Sequence, residues 1–243
     1  MIVLMTDFGE SEYVGVMKGV ILSIAPRTQI IDLTHSISSQ SIREGAWVLL
    51  QNYHYFPLNT CFVCVVDPGV GSDRDAILVE TNNYVFIGPD NGLMYPATHH
   101  DGIKQIFSFS INEDVSNTFH GRDVFAVAAA NLERQGVGEY LGRYKTTLDV
   151  KLEFHQEGRE GEVVRIDRFG NIVTNIPPLE LGPVKVRTNE IDQEIVHCRT
   201  YLEGPENKVF IVTGSSNTLE ISARNGRASD VLPFKIGDRL TIE

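Results

Sequence analysis

The stretch CFVCVVDPGVG, residues 61–71, joins an unbroken apolar run to a loop rich in proline and glycine. A short apolar run bounded in this way predicts a strand buried on both faces, as in the parallel sheets of α/β proteins. Asp67 follows the apolar run directly, and ligands of such sheets bind where the strands end. The stretch therefore predicts part of the sheet core and one edge of a binding site.

The two cysteines of this stretch, Cys61 and Cys64, have the C-x-x-C spacing of some redox and zinc sites. On a strand, however, residues three apart point to opposite faces. A zinc pair also needs a second pair, and Cys198 stands alone. We therefore expect core cysteines in a reducing compartment.

Strands and helices alternate on both sides of this stretch. The predicted elements are strands at residues 2–5, 29–33, 76–80 and 84–87, and helices at residues 13–24, 42–53 and 123–135. The strands at 76–80 and 84–87 are separated by three polar residues, which predicts a hairpin. The alternation predicts a mainly parallel α/β sandwich domain over residues 1–150.

The alternation of predicted strands and helices ends at about residue 136. Residues 142–161 are polar and lack periodicity, which is typical of a linker. Short β-type runs follow at residues 162–166, 184–186, 194–198, 209–212, 219–221 and 239–242. This pattern predicts a small all-β domain over residues 160–243.

The charge balance limits the partners of the protein. There are 21 Lys and Arg residues against 32 Asp and Glu, for a formal net charge of −11. Such acidity disfavours nucleic acid and anionic membrane surfaces. No apolar run approaches the roughly 18 residues of a membrane helix, and the first residues lack the basic region of a signal peptide. We expect a cytoplasmic protein with a small-molecule ligand.

Candidate site residues in the first half follow predicted strands or precede a predicted helix. Asp7 follows the first strand, and Asp67 and Arg74 could meet across a glycine-containing loop that lacks the lysine of a P-loop. His120 precedes the alanine-rich helix, where a structural role is favoured for an isolated histidine. The pair His99 and His100 lacks metal-ligand spacing and is interpreted as part of a solvated loop.

In the second half, residues 167–175 bring an acid, an aromatic ring and two amides together. Phe169 could stack on a planar base, and Asn171 offers the donor and the acceptor that an adenine edge requires. A plain turn is the alternative interpretation. The residues alone therefore indicate a polar small-molecule site, with a nucleoside as one candidate ligand.

Seven motifs, in this order, make the sequence similar to the S-adenosylmethionine (SAM) hydroxide adenosyltransferase family, or SAM hydrolases, which are related to fluorinases and chlorinases. The motifs are TDFG at 6–9, LTH at 33–35, VVDPGVG at 65–71 with Arg74, GPDNG at 88–92, FHGRD at 119–123, DRFGN…TN at 167–175 and GSS…ARN at 214–225. The resemblance covers essentially the whole chain. It implies an α/β domain with a small β-barrel, assembled as a homotrimer with ligands between subunits.

The resemblance also implies site residues. Asp67, Arg74 and His120 correspond to the hydrolytic triad of the family. Asp7 would hold the ribose hydroxyls, and Phe169 would line the adenosyl pocket. The remaining implied ligand contacts are Asn171 with the backbone near Arg224 and Gly226 for adenine, and Asp167 with Ser216 for the methionine amino and carboxyl groups.

The implied reaction is attack of water or hydroxide on the ribose C5′ of SAM, giving adenosine and methionine without a metal or cofactor. Halogenating relatives carry Tyr at position 67 and Ser at position 121. A carboxylate about 4 Å from a halide repels it by roughly 4 kcal/mol at an effective dielectric near 20, which disfavours halogenation. Two further alternatives are a non-catalytic adenosyl-binding module and a metal-dependent hydrolase using Asp7, Asp67 and His120.

Overall fold

The computed structural model describes residues 1–109, 111, 114–135 and 142–243. The chain forms two compact units, Met1–Leu152 and Glu153–Glu243. Across the described residues, no helix combines the length and apolar character needed to cross a membrane.

The first unit alternates strands and helices much as the sequence predicts. Its described elements are β1 (Ile2–Thr6), α1 (Glu12–Ile24), β2 (Ile30–Thr34), α2 (Ile42–Asn52), β3 (Cys61–Val65), β4 (Ala76–Thr81), β5 (Val85–Pro89), α3 (Tyr95–Asp101), β6 (Ile103–Phe109), a π-helix (Gly121–Ala126), α4 (Val127–Gln135) and β7 (Arg143–Lys145). α3, β6 and β7 are not among the elements predicted from the sequence. His99 and His100 lie in the last turn of α3, so their assignment to a loop was wrong, although both are exposed.

The sheet of this unit is mixed, and the expectation of a mainly parallel sheet was wrong. Its described strands run in the order β2-β1-β3-β5-β4-β6-β7. Pairs along β2-β1-β3-β5 are parallel, whereas β4 is antiparallel to both β5 and β6, and β6 is antiparallel to β7. The short turn between β4 and β5 confirms the predicted hairpin and forces this reversal, because a parallel pair needs a long crossover.

Two apolar clusters form the core of the first unit. Met17 of α1 and Ala129 of α4 pack in the cluster that holds Cys61. Leu49 of α2 and Ala97 of α3 pack in the cluster that holds Cys64. All three cysteines are free and buried, and burial raises the pKa of the Cys61 thiol to about 12. The prediction of core cysteines, with Cys61 and Cys64 on opposite faces, is confirmed.

The second unit is a closed β-barrel, which confirms the predicted β-rich half. Its described strands are β8 (Glu160–Ile166), β9 (Ile172–Thr174), β10 (Gly182–Arg187), β11 (Asp192–His197), β12 (Val209–Thr213), β13 (Leu219–Ala223) and β14 (Arg239–Ile242). They close in the order β10-β11-β12-β13-β9-β8-β14. Of these strands, β9 was not predicted from the sequence, and it has only three residues. Closure leaves no open sheet edge and surrounds a core that includes Phe210, Ile211 and Ile221.

Candidate active site

Asp67 lies just beyond β3 and forms a two-pronged ion pair with Arg74. Arg74 Nε donates to Asp67 Oδ1 at 3.1 Å, and Arg74 Nη2 donates to Asp67 Oδ2. The side chains are only 5% and 11% exposed, so water screens the pair weakly. The intervening loop needs glycine at Gly71, where φ is +80° and a Cβ would lie 2.4 Å from the Asn117 carbonyl oxygen.

His120 completes a chain of three side chains. Arg74 Nη2 lies 2.7 Å from His120 Nδ1. A guanidinium has no acceptor, so Nδ1 must accept this bond, and the ring is neutral with its proton on Nε2. Burial and the Arg74 charge lower the pKa of His120, which favours the same neutral form. Nε2 is buried and has no hydrogen-bond partner among the described residues.

A π-helix begins directly after this histidine, at Gly121. Such helices are rare and often occur at functional sites. A Cβ on Gly121 would lie 3.2 Å from a Phe119 ring carbon and 3.3 Å from Met17 Sδ. Glycine thus lets the chain pass close to the aromatic wall beside His120.

A pocket of about 360 Å³ in the first unit brings Asp7, Asp67 and His120 together. The rings of Phe8, Tyr13 and Phe119, which also line it, contact one another edge to face with centroids 5.0–5.9 Å apart. The combination of a polar end and an aromatic wall suits a small ligand with an apolar body.

Asp7 is held in place by the neighbouring loop. Asp7 Oδ2 accepts a bond from the Gln40 backbone N–H at 2.7 Å, and Gln40 has a φ of +64°. A non-glycine residue in this region stores backbone strain, which is common beside ligand sites. His35 supports the same loop, since its Nδ1 lies 2.9 Å from Thr6 Oγ1.

The GPDNG motif supports the strand end that carries Asp67. Asn91 Nδ2 donates to the Val66 carbonyl at 2.8 Å, directly before Asp67. Asn91 Oδ1 accepts from the Leu93 backbone N–H at 3.1 Å, which fixes the amide. The role of this motif is therefore structural support of Asp67, which the sequence alone did not indicate.

The loop is also fixed beyond Arg74, because the next residue, Asp75, belongs to an ionic network around Lys145 that is partly buried. Lys145 Nζ lies within 2.5–2.8 Å of carboxylate oxygens of Asp75, Asp90 and Asp149. These are the acidic residues among the described part of the chain that are spaced to hold a metal ion, but the Lys145 ammonium already satisfies them. No sequence signal pointed to Lys145.

A second pocket, of about 790 Å³, lies in the barrel unit. It is lined by most of the residues that the sequence predicts for a ligand site there, and by others that were not predicted as ligand contacts. The lining residues are Asp167, Phe169, Asn171, Tyr201, Leu202, Ser215, Glu220, Ala223, Arg224, Asn225 and Gly226. Ser216 is not among them, whereas its neighbour Ser215 is. Tyr201 lies in a short 3₁₀ helix and Glu220 lies on β13. No sequence pattern marked either residue as a ligand contact.

The DRFGN turn is organised by Asp167. Its Oδ1 accepts from the backbone N–H groups of Phe169 and Asn171, and its Oδ2 accepts from Asn171 Nδ2 at 2.9 Å. The Asn171 amide is thereby oriented with Oδ1 left as an acceptor. Gly170, with a φ of +83°, allows the turn, since a Cβ there would lie 2.5 Å from Arg227 Cβ. The Phe169 side chain is 61% exposed beside the pocket.

Comparison with known proteins adds an independent observation. Residues 2–142 match the model of the SAM hydroxide adenosyltransferase N-terminal domain, and residues 161–241 match that of its C-terminal domain. The chain is 37% identical to a Methanocaldococcus jannaschii protein named (R)-S-adenosyl-L-methionine hydrolase, over 99% of this chain and 95% of that one. A Nocardia brasiliensis fluorinase is 25% identical over 76% of this chain and 74% of its own.

Solved structures agree with these matches. An uncharacterized conserved protein from Thermotoga maritima superposes with a TM-score of 0.91 at 33% identity, covering all of both chains. A Thermus thermophilus protein named (R)-S-adenosyl-L-methionine hydrolase is 34% identical over 96% of this chain and 95% of that one. The two domain models together span most of the sequence, and the chain belongs to the SAM hydroxide adenosyltransferase family.

Proposed function

We propose that this protein hydrolyses SAM at the ribose C5′ to adenosine and methionine, without a metal or cofactor. The observation that carries the proposal is the Asp67–Arg74–His120 chain facing a pocket in a member of this family. Relatives at 31–37% identity over nearly the whole chain are named (R)-S-adenosyl-L-methionine hydrolases, which supports the same reaction.

The reaction balances without an electrophilic catalyst. Water oxygen forms the C5′–O bond, the C5′–S bond breaks, and sulfur keeps the electron pair as the neutral thioether of methionine. One water proton must leave. Because the leaving group is a good one, the demand on the protein is to hold the water in line with the C–S bond and to receive that proton.

We assign these two tasks to two different side chains of the triad, His120 and Asp67. His120 already accepts at Nδ1, so it acts as a donor through Nε2–H and orients a water lone pair. Asp67 has carboxylate lone pairs beyond those used by Arg74, and we assign it the water proton. Arg74 holds both side chains in place. The histidine is therefore the orienting group, and the carboxylate is the base.

The binding roles follow the pocket linings. Asn171, oriented by Asp167, presents an acceptor to the adenine amino group, and the exposed ring of Phe169 offers a stacking surface. Asp7, which uses only one oxygen for Gln40, can accept a ribose hydroxyl. Backbone groups near Arg224 and Gly226 complete the adenine contacts. We assign the amino group of the substrate's methionine part to Asp167 and its carboxyl group to the turn at Ser215 and Ser216.

Halogenation is a less suitable function for this triad. The reason is not the repulsion between Asp67 and a halide that the sequence predicts, because Arg74 offsets that repulsion. Arg74 neutralises Asp67, so the pair as a whole does not repel a halide. The carboxylate oxygens nevertheless remain acceptors, and a halide needs donors around it. We therefore expect turnover that does not depend on chloride or fluoride. A metal-dependent route through Asp7, Asp67 and His120 is also disfavoured, since the acidic residues spaced to hold a metal ion, among those the structure describes, are Asp75, Asp90 and Asp149.

The experiment is incubation of the purified protein with SAM in H₂¹⁸O, with and without chelator and halide, followed by mass spectrometry. We expect adenosine with one ¹⁸O at the 5′ position and unlabelled methionine, in equal amounts. A 5′-halo-adenosine as the main product, or activity lost on chelation, would overturn the proposal. SAM binding without methionine release would favour a binding module.

We also propose the homotrimer that the family resemblance implies, with sites shared between neighbouring subunits. The support is that the two pockets hold different groups: the pocket of the first unit holds Asp67 and His120, and the pocket of the barrel unit holds Phe169 and Asn171. A cytoplasmic location is part of the same proposal, and the three free, buried cysteines are consistent with a reducing compartment.

A further inference from the structure

The FHGRD motif ends in two charged residues, Arg122 and Asp123, to which neither the triad nor the ligand contacts give a role. Both belong to the π-helix that begins directly after His120. Arg122 Nε and Nη2 donate to the two carboxylate oxygens of Asp123, at 2.5 and 2.7 Å. Such a two-pronged pair has a fixed geometry, unlike most ion pairs near a protein surface. The two side chains therefore restrain each other.

Asp123 fastens the segment that precedes the π-helix. Its Oδ2 accepts a bond from the Ser116 backbone N–H at 3.1 Å, and its own backbone N–H donates to the Phe119 carbonyl at 3.2 Å. These two bonds to one residue close residues 116–123 into a loop, called the closed loop below. The closed loop carries Phe119 and His120, which line the pocket of the first unit.

The closed loop packs against the aromatic wall and against the triad. Arg122 Cζ lies 5.2 Å from the centre of the Phe119 ring, within the range of a cation–π contact. The Asn117 carbonyl oxygen lies so near Gly71 that a Cβ there would approach it to 2.4 Å, so the closed loop also rests on the segment between the other two triad residues. A displaced closed loop would therefore move His120 relative to both of its triad partners.

The charge of Asp123 also acts on the His120 ring. Burial and the Arg74 charge lower the pKa of His120, whereas the charges of Asp67 and Asp123 raise it. The other ionisable side chains that line the same pocket are those of Asp7 and Tyr13. Loss of the Asp123 charge would therefore lower the pKa of His120 further.

We propose that Asp123, held by Arg122, is a positioning residue that keeps the closed loop and His120 in register with the rest of the triad. This inference rests on the proposed function for the reaction that His120 serves. Asp123 is not among the described residues that line the pocket, so it acts through His120 and not on the substrate. Substitution of Asp123 should therefore affect kcat much more than KM.

The first measurement is the pH profile of steady-state kinetics with SAM, for wild type and for Asp123→Asn. The new amide keeps an acceptor for Ser116 but loses the charge. We expect kcat to fall by at least about tenfold, since an ångström-scale displacement can cost about 10²-fold, with KM changed by less than about threefold. The loss of kcat in acid should move to lower pH. Asp114→Asn, an exposed substitution near the same loop, is the matched control and should behave as wild type.

Arg122→Gln separates the positioning of Asp123 from its charge, and it also serves if Asp123→Asn does not fold. This variant releases the Asp123 side chain but keeps its charge. We therefore expect kcat to fall by about tenfold, again with little change in KM, while the loss in acid does not move to lower pH. Unchanged kcat in this variant, or a loss that appears only in KM, would overturn the positioning role.

An NMR titration of the His120 ring needs no turnover, so it distinguishes failure of this inference from failure of the proposed function. The His120 resonances are identified by comparison with His120→Gln. We expect a lower pKa of His120 in Asp123→Asn than in wild type, and no change in Asp114→Asn. An unchanged or raised pKa in Asp123→Asn would overturn the inference even if the protein hydrolyses SAM. A lowered pKa in a protein that does not hydrolyse SAM would overturn the proposed function while supporting the link between Asp123 and His120.

Discussion

At the scale of single residues, the proposed reaction depends most on Asp67. We expect Asp67→Ala to lower kcat by about 10²–10⁴, as for a lost acid–base group, and to change KM much less, because the side chain acts on water. Steady-state kinetics with SAM measure both. Asp73→Ala, on the same loop and exposed, is the control that should stay close to wild type. A rise in KM alone would contradict the role of Asp67.

We expect His120 to determine how the activity responds to acid. Its pKa lies below the usual 6.5 because the ring is buried beside Arg74. Protonation would remove the lone pair at Nδ1 that accepts the Arg74 bond. Since the unfolded state takes up this proton first, the stabilising contribution is complete above pH 6.5 and is lost as pH falls through the lowered pKa.

We therefore expect kcat to be level above pH 6.5 and to fall only below it. A pH profile of kcat for wild type and for His120→Gln checks this. We expect the variant to be slower and not to show the same fall in kcat at low pH. A wild-type midpoint above pH 6.5 would show that another group controls the rate.

At the scale of elements, the turn after β5 holds the end of β3. Asn91→Ala removes the bond to the Val66 carbonyl and should lower kcat by about tenfold, with a loss of stability of about 1–2 kcal/mol. Asn52→Ala removes an equivalent bond, from Nδ2 to the Val48 carbonyl at 2.7 Å, in α2. Kinetics and denaturant unfolding of both variants separate the effects. An equal fall in kcat for Asn52→Ala would mean that the activity follows stability alone.

The DRFGN turn gives a prediction about stability. Gly170→Ala places a Cβ at a φ of +83° and 2.5 Å from Arg227, and should cost roughly 1–3 kcal/mol of unfolding free energy. Gly158→Ala also has a positive φ, of +58°, but meets nothing within 4 Å. Urea titrations should show the larger loss for Gly170→Ala. Equal losses would mean that the close approach to Arg227 relaxes easily.

At the scale of the whole molecule, the proposed trimer can be tested by complementation. Asp67→Ala and Asn171→Ala chains are each expected to be nearly inactive. If sites are shared between neighbouring subunits, random mixing pairs an intact Asp67 with an intact Asn171 at about a quarter of the interfaces. Co-refolded mixtures should therefore recover about a quarter of wild-type activity. Light scattering verifies the mixed trimers, and mixed trimers without recovery would place each site within one chain.

The features that could be read from the sequence are local ones. Apolar runs marked β1 and β3, helical spacing marked α1 and α2, and a short polar turn marked the β4–β5 hairpin. The period of a strand placed Cys61 and Cys64 on opposite faces. Each of these depends on residues that are close together in the chain, so neighbouring residues suffice to predict them. The motifs likewise identified most residues that line the two pockets.

Features that depend on residues far apart in sequence were decided only by the tertiary structure. The reversal of β4, the π-helix after His120 and the pairing of Lys145 with Asp75 required distant segments to meet. The neutral state of His120 follows from a bond to Arg74, 46 positions away. Glu220 looks like an ordinary strand residue until the barrel closes and buries it. Burial and long-range partners set the charge state of a side chain, and neither is visible in a local pattern.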